Sequence, residues 1–276
     1  MQNKRLFAYA LMLPCAVFIT LFLLIPMFAT FLSTVTGTGA FSLDGYWQTL
    51  TDTYFQQVFW RTIRLSLITV AICILLGFPA AYYVARVAKK KSLFIAMTLF
   101  PLMTSPVVRS FSWMVLLGKK GTANTLLQSL GIISSPIPML YNEFSIVVGL
   151  VQLFLPLMII STVGVMENID EDLMLASNSL GASRTTSFWR IMFPLSVPGL
   201  ITGSVLVFCG SLTAYTTPQL LGGSDTRMLA TLIYQDGLSL NDWTAASVVA
   251  IIMIVIAVVA TLLIGKLARK VNPAAA

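Results

Sequence analysis

The chain has 276 residues, of which 57% are hydrophobic and only 10% are charged, whereas roughly 25% are charged in an ordinary soluble domain. This composition excludes a soluble globular enzyme, a disordered protein and a secreted disulfide scaffold. The sequence contains no His, which excludes His-based general-base chemistry, His–Cys zinc sites and His-ligated haem. An integral membrane protein remains, and a chain of this length accommodates about five to seven spans.

Six segments are apolar enough to cross a bilayer, for which a helix needs about 20 residues. They fall at 6–32, 65–85, 92–117, 144–166, 198–220 and 244–265. The first is longer than the apolar region of a signal peptide and has no clear cleavage site, so we expect it to be retained. The sequence therefore predicts an all-α integral membrane protein with six transmembrane helices, in which residues 1–276 form a single transmembrane domain.

Lys and Arg are distributed unequally between the two sides of the membrane. Eleven of the 17 lie on the side that holds both termini and the loops after the second and fourth spans: Lys4, Arg5, Arg86, Lys89, Lys90, Lys91, Arg184, Arg190, Lys266, Arg269 and Lys270. Because short loops rich in Lys and Arg stay in the cytoplasm, we expect both termini to be cytoplasmic. The basic balance then reflects topology rather than nucleic-acid binding.

The third span contains a charge and two prolines five residues apart. Pro101 and Pro106 predict a broken helix, and an ionisable residue inside a span, here Arg109, is a candidate functional residue. Two structural alternatives stay open: the helix ends near Val108 and leaves Arg109 at the interface, or Arg109 pairs with a neighbouring subunit. We assign Ser105, Arg109 and Ser112 to a translocation pathway.

The fifth span is rich in hydroxyl side chains near its outer end. Helix packing through small and hydroxyl residues is one explanation, and lining of the pathway is the other. The residues that we assign to the pathway are Ser211, Tyr215, Thr216 and Thr217.

The loop at 167–197, between the fourth and fifth spans, has the signals of two short helices. Asn168 or Asp170 can cap the first, Leu173–Leu180, and Gly181 follows it as a C-terminal glycine should. Ser183 can cap a second helix, Arg184–Phe193, which we expect Pro194 and Pro198 to end before the fifth span begins.

Two short helices joined by a glycine turn at the membrane surface form a docking element. The first helix is able to fill a groove on a soluble partner and to transmit rigid-body motion. The alternative is an amphipathic re-entry into the membrane interface without a partner.

The loop resembles the EAA loop of ABC importer permeases. The matching pattern is Leu175-Ala-Ser, three residues, Gly181, nine residues, then Ile191-x-Phe193-Pro194. Leu175 stands where the family has Glu, Ser177 where it has Ala, and Phe193 where it has Leu. Asp172, one turn earlier, is the candidate replacement for the missing Glu. The residues that the resemblance assigns to this coupling loop are Asp172, Leu175, Ala176, Ser177, Gly181, Ala182, Ser183, Ile191 and Pro194.

Further segments resemble the subgroup that contains the spermidine/putrescine permeases. They are Gly118–Gly121, Leu180–Ser183, Pro194–Gly199 and Thr217–Gly223. The subgroup implies a polyamine or another amine-containing solute, with aminophosphonates, opines and amino acids left open. Four acids near the outer surface are placed to attract cations, whereas Arg109 suits an anionic group better; the acids are Glu143, Asp225, Asp236 and Asp242.

The resemblance also implies a type I ABC importer permease fold, a bacterial inner-membrane location and a set of partners. These are a second, distinct permease, two cytoplasmic ATPases and an external solute-binding protein, besides membrane lipid. The sequence has no Walker A pattern. We therefore expect no cofactor, catalytic residue or metal in this chain, and ATP with Mg²⁺ to be used by the partner ATPase.

Two other functions compete with the importer. A stand-alone secondary transporter needs groups that bind a coupling ion, and the six spans show neither an inverted repeat nor a buried carboxylate relay. An intramembrane enzyme needs a nucleophile with a base. The spans offer no mid-span Asp or Glu to pair with Ser or with Cys15, Cys73 or Cys209.

Overall fold

The structure is a computed structural model that describes residues 12–36 and 42–271, with side chains as far as Lys266. All regular elements in this part are helical. The start of the predicted first span at 6–11 lies outside the described residues, as do Lys4, Arg5 and the side chains of Arg269 and Lys270.

Twelve helices follow one another in the described part of the chain. They are α1 Met12–Thr36, α2 Asp44–Thr51, α3 Thr53–Val87, α4 Lys91–Met103, α5 Pro106–Leu117, α6 Thr122–Ser129, α7 Glu143–Met166, α8 Asp172–Ser179, α9 Arg184–Thr213, α10 Thr216–Leu221, α11 Leu229–Tyr234 and α12 Trp243–Val271. Of these, α1, α3, α7, α9 and α12 are each long and apolar enough to cross a membrane. A sixth span is present if the bent segment Lys91–Met103 with Pro106–Ser129 counts as one.

The third predicted span is broken where the two prolines suggested. Its halves meet at an angle of 91°, and Ser105 has the extended angles φ −56° and ψ 133°. A residue before proline is driven out of the helical conformation, whereas Pro106 suits the first position of a new helix because its missing N–H has no partner to lose there. The break therefore follows from the sequence at 105–106.

The prediction that Pro194 and Pro198 end the second loop helix is wrong. Helix α9 runs without interruption from Arg184 to Thr213. A π-helical turn at Phe188–Met192 precedes Pro194, and the Phe193 N–H donates to the carbonyl of Phe188. Because this wider turn already interrupts the regular bonding ladder, proline enters the helix there without ending it.

The other span boundaries also differ from the predicted ones. Helix α3 begins at Thr53 rather than near residue 65, and the Asp52 carboxylate accepts a hydrogen bond from the Phe55 N–H at 2.8 Å. The fifth span ends at Thr213 rather than at residue 220, because Ala214 leaves the helical conformation. The last span begins at Trp243 rather than at residue 244, and the Asp242 carboxylate accepts from the Ala245 N–H at 2.9 Å.

The chain divides into two compact units. One comprises Met1–Gln56 with Leu232–Ile252, and in its described part the hydroxyls of Thr34 and Tyr46 lie 2.6 Å apart and join α1 to α2. The other comprises Gln57–Thr231 with Met253–Ala276. In this second unit α7 packs along α9, and α10 packs against α5.

Helices α7 and α9 approach closely at Gly199. A Cβ added to Gly199 would lie 2.9 Å from both the carbonyl oxygen of Ser161 and the Cα of Thr162. Both atoms belong to the backbone of α7, which cannot move aside as a flexible side chain can. Small residues at such contacts allow membrane helices to pack against each other without a hydrophobic driving force.

We predict that Gly199→Ala destabilises the protein, because the added methyl overpacks the α7–α9 contact. Overpacking of this kind costs about 1–3 kcal/mol. Gly164→Ala is the matched control, since Gly164 lies in α7 and a methyl added there would meet nothing within 4 Å. Thermal unfolding in detergent should show a lower Tm for Gly199→Ala alone, and equal Tm values for the two variants would contradict this packing.

Candidate functional site

The first helix of the 167–197 loop is α8, which begins one residue earlier than predicted. The Asp170 carboxylate accepts a hydrogen bond from the Asp172 N–H at 2.9 Å, so Asp170 satisfies one of the free donors at the helix start. Asn168 instead donates its side-chain amide to the Gly164 carbonyl. Of the two predicted caps, Asp170 is therefore the one that contacts α8.

A glycine turn joins α8 to α9, as predicted. Gly181 has a φ of +85°, a backbone conformation that side chains with a Cβ rarely adopt. The Ala182 N–H bonds the Ser177 carbonyl and the Gly181 N–H bonds the Asn178 carbonyl, which is the Schellman pattern. Ser183 then caps α9 by accepting from the Thr186 N–H at 3.2 Å.

Helix α8 and the turn after it expose large apolar side chains. Leu175 is 61% exposed, and Leu180 at the C-terminal end is 89% exposed. Asp172 and Ala176 are exposed as well. Leu175 and Asp172 are three residues apart and so share a side of the helix. Where the EAA pattern has Glu, this helix therefore presents an apolar side chain with a carboxylate one turn before it.

The opposite face of α8 is anchored to the spanning helices. Met174 packs against the buried side chains of Val84, Met166 and Met192 and their neighbours. The hydroxyl of Ser177 lies 2.9 Å from that of the buried Ser187 in α9. The loop is thus a fixed protrusion rather than a linker, because its inner face is packed and its outer face is exposed.

The remaining loop residues lie within or beside α9. Ala182 is half-buried in the turn. Ile191 belongs to the π-helical turn and Pro194 to the helix that follows it. Both are half-buried, so they support α9 and do not share the exposed surface of α8.

Arg109 lies at the break in the third span, beside a cavity of about 290 Å³. Its Nη1 donates to the Pro101 carbonyl at 2.8 Å, and the Thr104 hydroxyl donates to the same carbonyl at 2.8 Å. Ser112 lines the same cavity, and Trp113 donates its ring N–H to the Gln152 side-chain carbonyl at 2.7 Å. The helix therefore does not end near Val108, and Arg109 lies half-buried in the first turn of α5.

The other predicted pathway residues differ in their exposure. Ser105 is exposed at the start of α5, and Tyr215 and Thr216 are half-buried. Ser211 and Thr217 are buried, and the methyl of Thr217 lies against Gly149. Since α10 packs against α5, the two predicted groups lie on neighbouring helices, and their part in a pathway stays a prediction.

The outer acids have partners within the chain; Asp225, for example, accepts a hydrogen bond from the Ser224 hydroxyl at 3.0 Å. Glu143 forms ion pairs with Arg61 and Arg64, and Asp242 caps α12. Among the residues that the structure describes, no three Asp, Glu or Cys side chains lie close enough to hold a metal ion. A cationic solute therefore finds at most part of its counter-charge on these acids.

Two residues with clear contacts were missed by the sequence reasoning. Gln152 in α7 pairs with Trp113, and the presence of an amide in the middle of an apolar span is a signal that identifies it. Arg86 binds the base of the loop, but its sequence position indicates only a positive charge at a membrane surface.

Comparison with known proteins identifies a family and several relatives of this chain. Residues 74–273 match the model of a family described as the binding-protein-dependent transport system inner membrane component. The spermidine/putrescine transport system permease protein PotB of Haemophilus influenzae is 33% identical over 71% of this chain and 69% of its own. PotB of Escherichia coli K12 is 29% identical over 84% of each chain.

Among solved structures, a chain of a bacterial alginate ABC transporter matches with a TM-score of 0.81 and 18% identity, over 98% of this chain and 96% of that one. That transporter was solved in complex with a periplasmic protein bound to an alginate pentasaccharide. At this identity the likeness concerns the fold, and it confirms the predicted all-α architecture of ABC importer permeases. Because the family match covers most of the sequence, the chain belongs to the binding-protein-dependent transport system inner membrane components.

Proposed function

We propose that this chain is the membrane-spanning permease subunit of an ATP-driven importer and that its solute is a polyamine such as spermidine or putrescine. A separate ATPase binds the loop at 167–197 on the cytoplasmic side and hydrolyses ATP with Mg²⁺. A second, distinct permease completes the pathway, and an external solute-binding protein delivers the solute. Both termini then lie in the cytoplasm, and the protein itself is not an enzyme.

The observation that carries this proposal is the shape of the loop. Helix α8 and the turn after it expose Leu173, Leu175 and Leu180, whereas Met174 of α8 packs against a buried cluster of the spanning helices. An exposed apolar patch on an otherwise anchored helix is typical of a protein–protein contact. A force applied to such a helix reaches the membrane-spanning part instead of being absorbed by a flexible linker.

The solute class is supported by the similarity to the two PotB proteins. The outer acids Glu143 and Asp242 already have partners within the chain. Recognition of a cationic solute is therefore proposed to use aromatic and hydroxyl groups here, with carboxylates supplied by the second permease. Cation–π contacts with aromatic rings are suited to ammonium groups.

The test is purification of the tagged chain from native membranes in mild detergent, followed by reconstitution of the complex into vesicles. An ATPase and a second permease should co-purify, and labelled spermidine or putrescine should be taken up only with ATP and the solute-binding protein. A chain that elutes alone and transports under an ion gradient without ATP would overturn the proposal in favour of a secondary transporter. Uptake of other solutes only would overturn the polyamine assignment alone.

We predict that Gly181→Pro abolishes ATPase binding and ATP-dependent uptake while the chain still inserts into the membrane. Proline fixes φ near −65°, whereas Gly181 has a φ of +85°, and proline also removes the N–H that bonds the Asn178 carbonyl. The turn that sets α8 against α9 is then lost. Co-purification of the ATPase, compared with the wild-type chain, measures the effect.

Gly131→Pro is the matched control for this variant. Gly131 follows α6 with a φ of +70°, and its N–H bonds the Gln128 carbonyl in the same way. The two substitutions damage the same kind of turn, but only one is in the loop. Retained ATPase binding by Gly181→Pro, or equal loss in both variants, would contradict the docking role.

We predict that Arg109→Gln lowers uptake by about tenfold while ATPase assembly is retained, a change that corresponds to roughly 1.4 kcal/mol. Gln retains a donor for the Pro101 carbonyl but removes the charge beside the cavity. Initial uptake rates in vesicles measure the effect.

Arg109→Ala separates this charge effect from a structural role of the hydrogen bond to Pro101, because Ala removes both the charge and the hydrogen bond. If Arg109→Gln transports like the wild type and only Arg109→Ala fails, Arg109 holds the break together and has no role in the pathway.

A further inference from the structure

Arg86 makes three hydrogen bonds to the base of the loop. Its Nη2 donates to the carbonyls of Met166 at 2.6 Å and Ile169 at 2.5 Å, and its Nη1 donates to the Glu171 carboxylate at 3.1 Å. The Arg86 side chain is only 14% exposed. One side chain from the end of α3 is thus bonded to three points along the chain that leads into α8.

These three acceptors belong to the segment where α7 ends and α8 begins. Met166 is the last residue of α7, Ile169 lies in the turn that follows, and Glu171 immediately precedes α8. Carbonyls at a helix C-terminus lack partners within the helix, and a cation there complements the helix dipole. Arg86 therefore adds a charged donor to the Ile169 carbonyl and to the Met166 carbonyl, which also accepts from the Ile169 N–H, and it fixes the path of the connecting segment.

The surroundings make this contact the main polar attachment described between α3 and the loop. Ala81, Val84 and Ala85 of α3 pack with Met166 and Ile169 in one buried cluster. A second ion pair, Lys91 with Glu167 at 3.6 Å, is considerably exposed on both sides and contributes little. The Arg86 contact is different because its two carbonyl acceptors belong to the buried Met166 and Ile169, whereas the Glu171 carboxylate is 77% exposed and adds less.

We propose that Arg86 is the positioning residue that makes α8 move as one body with α3 and α7. The inference rests on the proposed function, since it assigns to Arg86 the transfer of an ATPase-driven displacement of α8 to the spanning helices. Arg86 touches neither nucleotide nor solute in this role. It acts by holding the carbonyls of Met166 and Ile169 and the carboxylate of Glu171 at fixed positions relative to α3.

The planar guanidinium is what this role requires. A guanidinium presents several donors in a rigid fork, whereas an ammonium is a compact charge on a flexible stem. Lys at position 86 retains the charge but cannot reproduce the fork toward three acceptors. Glu171→Gln leaves both backbone contacts of Arg86 in place, so its effect should be smaller than that of either substitution at Arg86.

The experiment compares uptake and ATP hydrolysis in the same reconstituted complexes. Arg86→Gln should retain the ATPase but lower the amount of labelled spermidine transported per ATP hydrolysed by at least about tenfold, and Arg86→Lys should give an intermediate value. Lys89→Gln is the control, because it removes an exposed cation three residues away and should behave like the wild type. A wild-type ratio in Arg86→Gln would overturn the proposal.

A distance measurement tests whether Arg86 holds α8 in place, without relying on transport. The three native cysteines are first replaced by Ala. Spin labels are then attached at Val87→Cys in α3 and Leu175→Cys in α8, which are both exposed positions. The distance between the two labels reports the separation of α3 and α8. The distance distribution should be narrow with Arg86 and broad with Arg86→Lys or Arg86→Gln. Unchanged distance distributions would overturn the positioning role of Arg86.

The two measurements separate the failure of this inference from failure of the proposed function. If no ATPase co-purifies with the wild-type chain, the importer function fails, and the distance distributions still decide whether Arg86 holds α8. If the wild-type complex transports with ATP and the Arg86 variants transport equally well per ATP, the function stands and the positioning role is wrong.

Discussion

A lipid bilayer offers no water to a peptide group, so a spanning chain must satisfy its own backbone hydrogen bonds. This constraint explains the long helices of the structure. It also means that backbone carbonyls need other hydrogen-bond donors wherever a helix ends or bends. Two arginines add charged donors at such places here. Arg109 bonds the Pro101 carbonyl beside the break in the third span, and Arg86 bonds the carbonyls of Met166 and Ile169 where α7 gives way to the loop.

The two arginines have different surroundings, and this difference separates their proposed roles. Arg109 borders a cavity together with Ser112 and Gln152, where a solute has room to approach. Arg86 is held against a packed apolar cluster and a carboxylate, and it connects two helices to the start of α8. The same side-chain chemistry thus lies beside a cavity in one position and against packed helix ends in the other.

Much of the fold and of the loop could be predicted from the sequence because the signals involved are local. A run of apolar residues predicts each span, and Asp170, Gly181 and Ser183 mark the ends of the loop helices through contacts only a few residues away. The continuation of α9 through Pro194 could not be predicted, because a π-helical turn depends on the packing of the whole helix. The acceptors of Arg86 are 80 or more residues away in sequence, and nothing in the local pattern distinguishes Arg86 from the lysines beside it.

Because α9 is continuous, a tilt at its loop end would displace its far end as well. The helix contains 30 residues from Arg184 to Thr213 and is therefore about 45 Å long. The rings of Phe78 and Tyr82 pack against Phe188 at the π-helical turn of α9. These contacts support the helix at the turn, where its regular hydrogen bonding is interrupted. A tilt of about 10° at the loop end displaces the far end of such a rod by roughly 8 Å, which is comparable to the width of a small organic molecule.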